Sequence, residues 1–158
     1  MKNYFLLGLL ALLLALGCGE DDEIGVPNLC RDTISLDDYI AQNFPDAGDS
    51  IVTDPNGLRY LIRDRGADLT PTPDSRVTVA YVGNLTNGRI FDQNPSANFA
   101  LTGLIEGFRL GLQKIGAGGH VVLFIPADLA YLSLGPRSFQ CFTEPLVFDV
   151  ELKEWTSN

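Results

Sequence analysis

The side chain best suited to acid–base chemistry at neutral pH is the single histidine, His120. It follows the glycine-rich residues 116–119 and precedes an apolar segment, which favours a turn position over a catalytic base. A Ser-His-Asp hydrolase is not supported, because the sequence has no G-x-S-x-G motif. It also has no phosphate-binding G-x-x-x-x-G-K-[ST] loop. The many aromatic and aliphatic residues near turns instead suit a pocket that acts by shape and by exclusion of water.

Cys18 is placed for covalent modification. It follows Ala15-Leu16-Gly17, at the end of an apolar run from residue 4 to residue 16 that Lys2 precedes. This run is shorter than the roughly 20 residues of a membrane-spanning helix, but it suits the apolar region of a secretory signal. The pattern resembles the bacterial lipobox, in which the chain is cut before a cysteine that becomes acylated. The alternative is ordinary signal cleavage after Gly17, with Cys18 unmodified.

Cys30 and Cys141 remain if Cys18 carries lipid. Two cysteines in an exported protein favour a disulfide over a structural metal site, which needs four closely spaced ligands. A bridge across so long a loop would contribute roughly 4–5 kcal/mol in the chain-entropy description. Two unpaired thiols are the alternative. No metal or cofactor is expected.

The overall charge limits the partners of the chain. The sequence has 20 acidic and 11 basic residues, a net charge of −9 at pH 7. Removal of residues 1–17 would take away Lys2 and leave a net charge of −10. Such a surface repels nucleic acid and anionic lipid headgroups, so membrane attachment would depend on acyl chains. The acidic residues 20–23 are expected to form a solvated tether, or the surface-export signal that they resemble.

A short amphipathic helix is predicted for residues 36–43. Ser35 can cap its first turn, where two aspartates interact favourably with the helix dipole. Its apolar residues fall on one face, which suits a helix that rests on a domain. Pro45 ends it.

The remaining pattern predicts an α+β domain in which an antiparallel sheet folds over one helix. Asn87-Gly88 predicts a tight hairpin turn. Along the last predicted strand, apolar residues alternate with charged ones, so one face of the sheet is expected to meet water. Strands are predicted at residues 58–64, 77–81, 121–125 and 146–152, and the apolar helix face comprises Leu104, Ile105, Phe108, Leu112 and Ile115.

Four groups of residues follow one another in a fixed order along the chain. They are VAYVG at 79–83 with NGRIFD at 87–92, FAL at 99–101 with LIEGFRLGL at 104–112, IPADLAY at 125–131, and LVFDVEL at 146–152. In order and spacing they resemble the motifs of the FKBP family of peptidyl-prolyl cis/trans isomerases, and the resemblance extends from about Gly57 to Trp155. One such motif would be weak, but four in register are specific. The resemblance implies an FKBP-like antiparallel sheet wrapped around one short helix, here with an N-terminal helical extension.

The resemblance also implies the site residues. Phe108 would form the pocket floor, where most relatives have Trp. The hydroxyl of Tyr131 and the backbone N–H of Ile105 would bind substrate carbonyls, and Asp92, oriented by Tyr81, would supply one fixed negative charge. For each aromatic residue the alternative is plain core packing. The remaining residues expected to contact substrate are Phe91, Phe99, Leu104, Phe139 and Phe148.

Departures from the family pattern leave the backbone turn after Tyr131 and the substrate preference open. Leu132 stands where relatives have glycine, and the loop that overhangs the pocket in relatives reads Phe139-Gln140-Cys141-Phe142 here. An isomerase acting on exported proteins is the leading hypothesis. A low-turnover binding module or holdase is the alternative, and a purely structural lipoprotein is a third.

The expected organisation has four parts. Residues 1–17 form a lipoprotein signal peptide, 18–34 an acidic tether, 35–56 an extension with a short helix, and 57–156 the FKBP-type isomerase domain. Proline-containing segments of exported proteins are the expected partners, with the family's macrolides as candidate ligands and no nucleic acid. The expected location is the bacterial envelope, lipid-anchored at the outer membrane on its periplasmic face or at the cell surface.

Overall fold

The computed structural model describes residues 28–136 and 139–157. The predicted signal segment, Cys18 and the acidic residues 20–23 lie outside the described residues. No helix within the described residues is long and apolar enough to span a membrane. The elements are helix α1 (Leu36–Asn43), strands β1 (Val52–Thr53), β2 (Arg59–Asp64), β3 (Arg76–Leu85) and β4 (Ile90–Ala100), helix α2 (Glu106–Leu112), and strands β5 (His120–Ile125) and β6 (Leu146–Thr156).

The six strands form one antiparallel sheet in the order β1-β2-β5-β6-β3-β4. The predicted α+β class with an antiparallel sheet is therefore confirmed. Strand β6 lies in the interior of the sheet and shows the expected alternation of buried apolar and exposed charged residues. The structure adds β1, which is too short for a periodic signal and lies within the predicted extension.

Helix α2 packs on the sheet at β5. The approach is close because two glycines of α2 face that strand. A Cβ added to Gly107 would lie 2.3 Å from the side chain of Ile125, and one added to Gly111 would lie 2.3 Å from the side chain of Leu123. The helix is shorter than the predicted apolar face. It ends at Leu112 because the N–H of Lys114 donates to the carbonyl of Gly111, an i→i−3 bond that tightens the last turn.

Helix α1 covers the opposite face of the sheet. The N–H of Asp38 donates to the hydroxyl oxygen of Ser35 (3.1 Å), so the predicted N-cap is present. Because side chains alternate along a strand, the strand residues that α1 covers point away from α2. This smaller cluster comprises Leu36, Tyr39, Ile40 and Phe44 packed with Leu61, Val122, Phe124 and Val147.

The structure corrects the predicted tether at its C-terminal end. Residues 28–34, which we name the N-terminal segment, lie against the domain. A disulfide joins Cys30 to Cys141 with Cα atoms 5.4 Å apart, and Leu29 packs against the main core. A polar composition indicated exposure, but this segment is held by contacts with residues distant in sequence.

Candidate active site

A cavity of about 410 Å³ lies between the start of α2, strands β3, β4 and β6, and the chain that follows β5. Two kinds of structure form its sides. We call the part carried by strands, by α2 and by the turn that joins β4 to α2 the sheet wall, and the part between β5 and β6 the loop wall. The lining residues are Tyr81, Asp92, Phe99, Thr102, Gly103, Leu104, Ile105, Phe108, Tyr131, Leu134 and Phe148.

The floor of the cavity is a cluster of aromatic rings on the sheet wall. Phe108 on α2 and Phe148 on β6 are 3% and 4% exposed, and their rings meet edge to face with centroids 4.9 Å apart. The ring of Tyr81 lies 6.0 Å from Phe108 and 6.1 Å from Phe148. Edge-to-face packing is a favoured aromatic geometry, so the floor is apolar and well ordered.

Asp92 places a carboxylate at the edge of this apolar floor. The hydroxyl of Tyr81 donates to Asp92 Oδ2 at 2.7 Å, across the pair formed by β3 and β4. Burial raises the pKa of Tyr81, and the hydrogen bond and negative charge of Asp92 raise it further, followed by a smaller effect of Tyr131. Tyr81 therefore stays protonated at neutral pH and can hold the Asp92 side chain.

Tyr131 faces the cavity from the loop wall. Strand β5 ends before Pro126, and a 3₁₀ turn over Ala127–Leu129 carries the chain to Tyr131. Burial raises the pKa of Tyr131, and the charge of Asp92 adds to this shift. Its hydroxyl is therefore a neutral hydrogen-bond donor near a carboxylate.

Ile105 lines the cavity at the start of α2, where it is the N-cap residue. The N–H groups of the first helical turn have no partners within the helix. The N–H of Ile105 has no acceptor among the described residues either. It can therefore donate a hydrogen bond to a carbonyl oxygen that enters the cavity.

Phe91 and Phe139 were predicted to contact substrate, but neither lines the cavity. Their rings lie behind it, with centroids 4.9 Å apart. Phe91 packs edge to face on Phe148 at 5.4 Å, over the space that a side chain at position 83 would fill. A Cβ on Gly83 would lie 2.8 Å from both rings, which explains the glycine there. These two rings support the cavity instead of forming its surface.

The structure brings the other predicted site residues to one cavity, namely Tyr81, Asp92, Phe99, Leu104, Ile105, Phe108, Tyr131 and Phe148. Sequence reasoning missed three lining residues. Thr102 and Gly103 belong to a 3₁₀ turn between β4 and α2, and Leu134 to another after Tyr131. A turn has no periodicity that shows which side chains face inward, although the position of Thr102 and Gly103 between two matched motifs was a usable signal.

No group of three or more His, Cys, Asp or Glu side chains within the described ranges could hold a metal ion. His120 does not line the cavity; its Nε2 contacts the carboxylate of Asp149 on the neighbouring strand. The groups that line the cavity can act on a ligand through packing, hydrogen bonds and the negative charge of Asp92.

Comparison with known proteins gives a consistent result. The family profile described as FKBP-type peptidyl-prolyl cis-trans isomerase matches residues 67–153. The probable FKBP-type isomerase FkpA of Neisseria meningitidis is 36% identical over 110 residues, which is 67% of this chain and 40% of that protein. The outer membrane protein MIP of Legionella longbeachae is 41% identical over 92 residues, covering 56% of this chain and 38% of that protein.

Solved structures agree. A peptidyl-prolyl cis-trans isomerase from Pseudomonas syringae superposes with a TM-score of 0.64 at 29% identity, covering 77% of this chain and 91% of that one. FkpA from Escherichia coli gives a TM-score of 0.63 at 29% identity, covering 77% and 63%. The chain spans about two fifths of the length of the two curated relatives described above.

Proposed function

This chain belongs to the FKBP-type peptidyl-prolyl cis-trans isomerase family, and we propose that it accelerates X-Pro isomerisation in exported proteins. The observation that carries the proposal is the cavity in which the rings of Phe108 and Phe148 lie beside the Tyr81–Asp92 pair and Tyr131. An apolar floor with a polar rim can hold a proline ring and orient the peptide bond before it.

The chemistry required is a rotation without bond cleavage. The barrier to rotation about an amide is about 18–20 kcal/mol because planar resonance must be broken, and the uncatalysed X-Pro reaction takes tens to hundreds of seconds. The planar amide is more dipolar than the twisted one, so removal from water favours the twisted state. A ten-thousandfold acceleration requires about 5.5 kcal/mol of preferential binding to the transition state.

The proposed roles follow from the positions of the side chains. Phe108, Phe148 and the half-buried Phe99 would enclose the proline ring. The N–H of Ile105 and the hydroxyl of Tyr131 would each donate to a substrate carbonyl. Asp92, held by Tyr81, would place its charge near the twisting amide. Phe91 and Phe139 would act indirectly, by supporting Phe148 and Tyr131.

A low-turnover binding module is the second candidate, and the loop wall favours it. Leu132 and Leu134 are 43% and 61% exposed, next to Tyr131 and the cavity. Exposed leucines beside an apolar cavity suit the capture of apolar segments of unfolded chains. This candidate predicts that the protein binds an X-Pro peptide without accelerating its cis/trans isomerisation.

A protease-coupled assay on an X-Pro peptide separates the two candidates. We expect micromolar protein to accelerate isomerisation and a family macrolide to inhibit it. Tyr131→Phe should lower kcat/KM about tenfold, mainly through a higher KM, because one hydrogen bond to a substrate carbonyl is lost. Unfolding of Tyr131→Phe should match that of the wild type. A folded protein that binds the peptide without acceleration would leave the binding module as the function.

We also propose that the domain works in the bacterial envelope. Support comes from the leader sequence, from the cysteine after Ala15-Leu16-Gly17 and from similarity to a protein named as an outer membrane protein. In this proposal residues 1–17 are removed, Cys18 is acylated, and residues 57–156 act on proline-containing segments of exported proteins. Mass spectrometry of the purified protein tests the anchor: an acylated N-terminal Cys18 is expected, and an unmodified one would contradict it.

A further inference from the structure

We infer that the N-terminal segment positions the loop wall of the cavity, with the Cys30–Cys141 disulfide as its main attachment. The inference rests on the proposed function, because it concerns the same cavity. The segment lies outside residues 67–153, which match the family. It would therefore be a positioning element that this chain adds to the family domain.

The first attachment is to the loop that carries Phe139. The disulfide fixes Cys141, which is 2% exposed and lies two residues after Phe139. Close by, the hydroxyl of Thr33 donates to Glu144 Oε2. The N–H of Glu144 in turn donates to the carbonyl of Cys141 at 3.0 Å and closes a turn. The segment thus binds both ends of this turn.

The second attachment is to the hairpin between β3 and β4. The side chain of Asn87 donates to the carbonyls of Leu29 and Arg31, at 3.0 and 2.7 Å. Thr86, which is 3% exposed, exchanges two hydrogen bonds with the backbone of Ile34, one at 3.0 Å and one at 2.7 Å. This hairpin leads directly into the start of β4.

The two attached parts of the chain meet behind the cavity. The ring of Phe91, near the start of β4, packs on the ring of Phe139 with centroids 4.9 Å apart. The ring of Phe139 in turn packs on that of Tyr131, with centroids 5.0 Å apart. Tyr131 lines the cavity, whereas the described residues of the loop wall form short 3₁₀ turns and no strand. The contact between Phe139 and Tyr131 therefore depends on the attachment of this loop to the N-terminal segment.

Holding the loop in advance should strengthen substrate binding. Ordering a side chain or loop at the moment of binding costs free energy, and a pre-ordered wall avoids that cost. Loss of the attachment should therefore raise KM and leave kcat nearly unchanged, because Asp92 and Phe108 lie on the sheet wall. If the attachment only stabilised the fold, its loss would lower the folded fraction and would not raise KM while leaving kcat unchanged.

The test compares the oxidised full chain with the same chain treated with dithiothreitol and with Cys30→Ala/Cys141→Ala. Turnover is measured by NMR exchange on an X-Pro peptide, because a coupled protease would itself be damaged by the reductant. Hydrogen exchange of residues 139–145 gives a readout independent of activity. Val122→Ala is the matched control, since it removes buried volume on the opposite face of the sheet.

We expect reduction to raise KM roughly threefold to tenfold, to change kcat less than about twofold, and to speed hydrogen exchange in residues 139–145. The reductant should have no effect on Cys30→Ala/Cys141→Ala, which should already resemble the reduced wild type. Val122→Ala should leave KM and this local exchange unchanged. Circular dichroism checks that each form keeps its sheet.

Unchanged KM and unchanged loop exchange after complete reduction would overturn the inference. Equal changes in the reduced protein and in Val122→Ala would also overturn it, because the effect would then be global. An oxidised protein without turnover would contradict the proposed function alone. In that case faster exchange confined to residues 139–145 on reduction would still support the positioning role, and its absence would refute it.

Discussion

The two walls of the cavity are built in different ways. The sheet wall carries Tyr81, Asp92 and Phe148 on long strands, two of which are paired on both sides in the sheet. The loop wall carries Leu134 on a short 3₁₀ turn and Tyr131 between two such turns, and it depends on Phe139 and a disulfide behind it. The sheet wall is therefore fixed by the fold itself, and the loop wall by added contacts.

This difference suggests a division of roles. Groups that must be held rigidly, such as the aromatic floor and the Tyr81–Asp92 pair, lie on the sheet wall. The groups proposed to meet the varied neighbours of the proline lie on the loop wall, where the sequence departs from the family pattern. We therefore expect substitutions on the sheet wall to affect stability or the chemical step, and substitutions on the loop wall to affect substrate binding.

Phe148→Ala should have the largest effect. The ring is 4% exposed and contacts Tyr81, Phe91 and Phe108, so its loss should lower the free energy of unfolding by about 3–5 kcal/mol. Displacement of the floor should lower kcat/KM about a hundredfold. Denaturant unfolding and the isomerase assay measure the two effects. Phe124→Ala, fully buried under α1, should lose similar stability but keep the kcat/KM of its folded fraction.

Asp92→Asn should separate the charge from the shape of the sheet wall. The amide keeps an acceptor for the Tyr81 hydroxyl, and Asp92 is exposed, so the free energy of unfolding should change by less than about 1 kcal/mol. Loss of the charge should lower kcat/KM about tenfold. Asp68→Asn, an exposed carboxylate outside the cavity lining, is the control. Equal activity of both variants would show that the charge has no role.

Phe139→Ala should have a smaller effect, confined to the loop wall. This half-buried ring contacts Tyr131 and Phe91 but does not line the cavity. We expect KM to rise about threefold to tenfold with little change in kcat, and the free energy of unfolding to fall by about 1 kcal/mol. A fall in kcat as large as that of Asp92→Asn would remove the distinction between the walls.

Raising the pH should have the smallest effect on the free energy of unfolding, and that effect should begin only well above neutral pH. The pKa values of Tyr81 and Tyr131 are raised above 10 in the folded chain, so the unfolded chain loses these protons first. Their contribution to stability is complete below pH 10 and falls as the pH rises further. The free energy of unfolding should decline above pH 10, less steeply in Tyr81→Phe. Identical slopes in the two proteins would contradict the assignment.

The sequence was sufficient to predict the elements that show a regular apolar pattern or a clear helix-end signal. Alternation predicted β6, and the Ser35 cap and Pro45 predicted the bounds of α1. It did not show which face of the sheet α1 covers, because an apolar stripe does not identify its partner. The attachment of residues 28–34 was also missed, since Asn87 and Leu29 are 58 positions apart and their hydrogen bond leaves no local pattern.

Site residues could be predicted where a family motif includes them and they lie on a strand or helix. Phe108 and Asp92 are of this kind, and both line the cavity. Phe91 and Phe139 are not among the lining residues. A motif gives a position in the chain, and it does not show whether a ring lies at the surface of a cavity or behind it. Leu134 was missed because it stands in the loop that departs from the family.

The most direct test of the account is an NMR measurement of intermolecular NOEs between the protein and an X-Pro peptide. We predict contacts from the proline ring protons to the aromatic rings of Phe108 and Phe148 on the sheet wall. Contacts to Tyr131 should come from the residue next to the proline. Proline contacts to Tyr39 and Phe44, on the face covered by α1, with none to Phe108 or Phe148, would contradict it.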